Sequence, residues 1–145
     1  MMGLFSRLGG LLNAIKVGTS YVLQTPITAT QAAAVQNQWY TALPTSYLGR
    51  LIDVSIDAAG GCTMEVRITI DGQAIAGAGV VTPATHLHVV IHMHADEAVL
   101  EFVTTANKDE VPFLIEGRTV LVEYRQTSEA GGEDLLCGVL YAIKT

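Results

Sequence analysis

From residue 47 onward, apolar and polar positions alternate with a period of two. Leu48, Arg50, Ile52, Val54 and Ile56 interleave with Gly49, Leu51, Asp53, Ser55 and Asp57; Met64, Val66, Ile68 and Ile70 interleave with Thr63, Glu65, Arg67 and Thr69. Successive side chains of a strand point to opposite faces, so this alternation predicts strands with one dry side. "AAGG" (58–61) breaks the first pair, and Asp71-Gly72 is the two-residue signal of a tight hairpin. Further strands are expected over residues 73–81, 86–94, 98–105, 119–125 and 135–144, separated by Asp96-Glu97, "ANKDE" and "SEAGGED". Closely spaced strands without helical crossovers predict a mainly β chain with an antiparallel β-sandwich or jelly-roll body.

Residues 1–46 read differently. In "MMGLFSRLGGLLNAIK" the apolar residues Leu4, Phe5, Leu8, Leu11, Leu12 and Ile15 fall at helical spacing on one face. Gly9-Gly10 weakens that helix by about 1 kcal/mol per glycine relative to alanine. It therefore needs a surface to lie on, in its own domain or on another molecule. "VGTSYVLQ" (17–24) alternates as an extended arm, kept extended by Thr25-Pro26. "TQAAAVQNQWYTA" (30–42) predicts a second short helix, capped by Thr30, with Ala32, Val35 and Trp39 on one face and Leu43-Pro44 at its end. Trp39 and Tyr40 are expected to pack in the core or anchor an interface. The chain thus divides into an arm with helices (1–46) and a β body (47–145).

Charge sharpens that division. Residues 1–52 contain no Asp or Glu and carry Arg7, Lys16 and Arg50, whereas residues 53–145 hold all 14 acids against five bases. The two parts carry +3 and −9, within a net charge of −6. An acidic body with scattered bases repels phosphates, which sets nucleic-acid binding aside. No apolar run reaches the ~20 residues of a membrane span, and no secretion signal is expected at the N-terminus. Half the residues are hydrophobic and only 15% are charged, an excess of apolar surface that an oligomer or a larger partner can bury. Cys62 and Cys137 lie far apart in strand-like runs and read as buried, reduced thiols.

All four histidines fall in "HLHVVIHMH" (86–94). On a strand, His86, His88, His92, His94 and Asp96 share one face, and Leu87, Val89, Ile91 and Met93 take the core side. The row can lie in solvent or at a subunit interface, change charge near pH ~6.5, or form a metal site from His86, His88, His92, His94 and Asp96. Cupin enzymes also carry an H-x-H pair, followed by a glutamate and a later histidine, but no histidine follows His94 here. "QAIAGAGVV" (73–81) is a strand whose small residues Ala74, Ala76, Gly77, Ala78 and Gly79 allow close approach of a neighbouring subunit. No serine sits in a G-x-S-x-G elbow. Glu129, Glu133 and Asp134 read as a solvated turn.

An apolar arm "MMGLFSRLGGLLNAIKVGTSYVLQTP", the small-residue run "QAIAGAGVV" and a compact β body together resemble structural proteins of tailed-phage virions, in particular capsid decoration (cement) proteins. The resemblance implies a non-enzymatic protein without cofactor, made in the host cytoplasm and seated on the capsid surface. It implies a homo-oligomer, a trimer in the first instance, with the major capsid protein as partner. The gripping face would then be Leu4, Phe5, Leu8, Leu11, Leu12 and Ile15, extended by Tyr21 and Leu23, with the small-residue strand and the histidine row between subunits. The alternatives are a tail, neck or jelly-roll capsid component and, from another class, a small cupin-like metal-dependent enzyme built on residues 86–94.

Overall fold

The computed structural model describes residues 21–83, 85–94, 97–104 and 115–144, and the described residues form nine strands and no helix. These are β1 (Tyr21–Leu23), β2 (Ile27–Ala34), β3 (Tyr40–Ala58), β4 (Cys62–Ile70), β5 (Gln73–Val81), β6 (Leu87–His94), β7 (Glu97–Thr104), β8 (Ile115–Gln126) and β9 (Glu133–Lys144). Every pairing is antiparallel. The strands form two layers joined through β3, an architecture of the β-sandwich class.

The 19-residue β3 works as a hinge between the layers. Its first part pairs with β8 from Tyr40 to Leu51, and its second part pairs with β9 from Gly49 to Ala58. A register shift between Leu51 and Asp53 marks the changeover, and a bulge of this kind bends a strand. Beyond it β6 takes the edge that β8 leaves, through Ser55–His88 and Ile56–Leu87. One layer is therefore β1 and β2 on β9, then β3, β6 and β7; the other is β3, β8, β4 and β5.

The period-two pattern dictates what lies between the layers. Val54, Ile56, Met64, Val66, Ile68, Val122 and Val139 are each 2% exposed or less, while Thr63, Glu65, Arg67 and Thr69 on the alternate positions of β4 reach the surface. The β4–β5 hairpin turns at Asp71-Gly72, both with positive φ (48° and 83°), as the two-residue signal predicts. The Asp71 carboxylate locks that turn by accepting from the Thr119 amide (2.9 Å) and hydroxyl (3.0 Å).

The helix expected over residues 30–42 is not formed. Residues 27–34 pair with β9 as β2, the chain reverses around Asn37 (φ 64°), and β3 begins at Tyr40. Alanine's helical preference amounts to tenths of a kcal/mol per residue over most alternatives. The ladder to β9 outweighs it by burying Ala34 completely and turning Thr28 and Thr30 outward. Pro44 does not end an element either. It lies exposed inside β3 where the register with β8 shifts between Leu43 and Tyr47, a place where a missing amide is tolerated. β3 also runs through residue 46, where the sequence places a domain boundary. The helix expected over residues 4–15 lies outside the described residues.

Cys62 and Cys137 are free and buried, as their strand positions predict. Burial pushes the Cys137 thiol up to about 12. Burial, with Glu133 and Glu129 adding, pushes Cys62 up to about 11. Burial, then Cys137 and Tyr40, pushes the Tyr124 phenol up to about 12. All three are neutral when protonated, and the folded chain holds protons that the unfolded chain releases at lower pH. Their contribution to stability is thus complete below pH ~9 and is lost as pH rises through the folded values. Urea midpoints should stay level from pH 7 to about 8.5 and fall steadily between about pH 9 and 11, with iodoacetamide labelling neither cysteine before unfolding. Rapid labelling of the folded protein at pH 8 would contradict this burial.

Candidate functional site

The outer face of the β9–β3–β6 layer carries the two described histidine–aspartate pairs. Register places Thr28, Gly138, Ser55 and His88 in one row across four strands, and Thr30, Leu136 and Asp57 in the next. His88 Nδ1 lies 3.1 Å from Asp53 Oδ1, and His86 Nδ1 lies 3.9 Å from Asp57 Oδ2. The two imidazoles meet edge to face with centroids 6.0 Å apart. His86 is exposed and His88 half-buried. Each histidine thus faces its own aspartate on β3 and the pairs do not converge: among the described residues no group of three His, Cys, Asp or Glu side chains is placed to hold a metal ion. The structure describes His92 and His94 by backbone alone, opposite Val99 and Glu97 of β7. Asp96 lies outside the described residues. Leu87 and Val89 take the core side as the alternation predicts, and Val90 is also buried, at 4% exposure.

A cleft of about 400 Å³ opens at one end of this face, between the ends of β2, β9 and β3 and the loop before β6. Thr30, Leu136 and Asp57 of the outward row line it, together with Pro83 and the exposed Asp134. Backbone amides orient both carboxylates: Ala58 N donates to Asp57 Oδ1 (2.8 Å) and Ala33 N to Asp134 Oδ1 (2.7 Å). The sequence reading found the acidic turn but not the cleft, because the cleft exists only where three strand ends meet.

The other expected positions separate. Gly77 and Gly79 turn inward, where an added Cβ would lie 2.8 Å from Leu100 Cβ and from Phe102 Cγ respectively. Their smallness is thus used by the β6–β7 hairpin of the same chain. Ala74, Ala76 and Ala78 face outward and are exposed, beside Val80 at 69% exposure. Tyr21 is half-buried with the Arg50 guanidinium 4.9 Å above its ring, whereas Val22 and Leu23 are 49% and 53% exposed. Leu4, Phe5, Leu8, Leu11, Leu12 and Ile15 lie outside the described residues.

Trp39 packs as an anchor within the chain. The Arg67 and Arg125 guanidinium carbons lie 4.2 and 4.4 Å from its ring centroid. Arg67 pairs with Glu123 (2.8 Å) and Arg125 with Glu65, each directly across the β4–β8 ladder. Tyr40 accepts from Val35 N (2.9 Å) and stacks at a tilt on Tyr124.

The chain matches no family model, no curated protein and no solved structure.

Proposed function

We propose that the chain is a structural protein of a phage virion: a decoration, or cement, protein that seats on the outside of a capsid through its apolar N-terminal segment and ties capsomers together. The observation that carries this reading is the edge strand β1. There the acid-free apolar segment joins the sandwich, and Val22 and Leu23 stay about half exposed. An exposed apolar pair that continues an apolar segment is a surface for a partner. The rest of the chain, with −9 over residues 53–145, is suited to face solvent.

On this reading the partner is the major capsid protein and the protein acts as a homo-oligomer, in the first instance a trimer. Linked arms then bind at a high effective concentration, so avidity supplies what one short segment lacks. Ala74, Ala76 and Ala78, exposed on β5, and His86, exposed on the other layer, are the surfaces this reading offers for contacts between subunits. No reaction and no cofactor belong to this role. The test is co-sedimentation with empty shells assembled from the cognate major capsid protein, followed by negative-stain imaging. Regular added density at capsomer junctions supports the proposal. Protein left wholly in the supernatant, or bare shells, overturns it.

A further inference from the structure

The cleft between the ends of β2, β9 and β3 opens to solvent beside the carboxylates of Asp57 and Asp134. Its volume of about 400 Å³ lies in the range that receives a small ligand or a whole side chain. Its two carboxylates are fixed by backbone donors on one oxygen each. The second oxygen of Asp57 faces His86 Nδ1 from 3.9 Å, beyond hydrogen-bond reach. Among the described residues no Lys or Arg lines the cleft.

We propose that this cleft is a receptor for an arginine side chain of a partner protein. A guanidinium presents planar donors to carboxylates and is weakly hydrated, so it loses little on entering a half-enclosed site. Its aliphatic stem requires an apolar surface, which the partly exposed Leu136 and Pro83 provide. The surrounding charge acts in the same direction, because residues 53–145 carry −9 and draw a basic segment toward this face. The inference stands on the cleft and does not require the partner to be a capsid protein.

The test is titration of the ¹⁵N-labelled full chain with N-acetyl-arginine amide, set against the neutral, similarly shaped N-acetyl-citrulline amide. The arginine probe should shift the amides of Ala32, Ala58, Ala59 and Leu136 at the cleft, and the citrulline probe should leave them in place. Asp57→Asn and Asp134→Asn keep the oxygen that accepts the backbone amide, so the fold is retained. Each should weaken binding by about threefold, the range of a partly exposed ion pair. Equal shifts from both probes, shifts spread evenly over the acidic surface, or no shift at the cleft would each overturn the proposal. So would variants that bind as well as the parent chain.

Discussion

Gly49→Ala should destabilise the protein by about 4 kcal/mol, at the upper end of single-residue effects. Gly49 lies in β3 where both neighbours are paired to it, Arg118 of β8 on one side and Ile143 of β9 on the other. A Cβ at this position would land on the carbonyl of Ala142 and lie 3.4 Å from the Ile143 Cα. Both obstacles are backbone, so no rotamer change relieves the clash; β9 must move away from β3. That displacement spreads along the ladder that joins the two layers. Gly131→Ala is the matched control, since a Cβ there meets nothing within 4 Å. Urea unfolding of the two variants measures the difference. A Gly49→Ala protein within about 1 kcal/mol of the parent would show that the close approach is not real.

Gln126→Leu is expected to cost about 3 kcal/mol, because it strands hydrogen-bonding groups that water reaches poorly. Gln126 is completely buried. Its Nε2 donates to the carbonyls of Ala34 (2.9 Å) and Glu129 (2.7 Å), and its Oε1 accepts from the Glu129 amide (2.8 Å). Its own carbonyl accepts from Asn37 N (2.8 Å). The amide side chain thus joins the end of β2 to the turn after β8, and the main-chain carbonyl of the same residue holds the reversal before β3. Leucine fills a similar volume but satisfies none of the three side-chain bonds, so the loss is not a cavity effect. Gln24→Leu removes an exposed bond to the Val22 carbonyl and should change the urea midpoint little. Equal midpoints for Gln126→Leu and Gln24→Leu would refute the assigned role.

How far the sequence spells out this molecule follows from the range of each interaction. The strands of the body were legible because burial on one side imposes a period of two. The hairpin at Asp71-Gly72 was legible because positive φ selects those residues. Residues 30–42 misled because their local helical preference is real but small, and the competing ladder is supplied by β9, about 100 residues away in the chain. The role of Gln126 was not legible, since the segment it holds at Ala34 and Asn37 is about 90 residues away in the chain. The Trp39 cluster did leave a trace. Glu65 and Arg67 on β4 match Arg125 and Glu123 on β8 in only one antiparallel register, and that register is the one observed. His86 and His88 share a face as periodicity predicts, but the aspartates beside them come from β3, a neighbour that spacing within one strand cannot reveal.

The most direct measurement on the proposed function is binding of a chain lacking residues 2–16 to shells of the cognate major capsid protein, compared with the full chain by co-sedimentation. The truncated chain should keep the strand-rich circular dichroism of the sandwich and its urea midpoint, while its retention on shells falls to background. Undiminished retention of the truncated chain would contradict the account, as would loss of the folded sandwich on removing a segment whose task is to bind elsewhere.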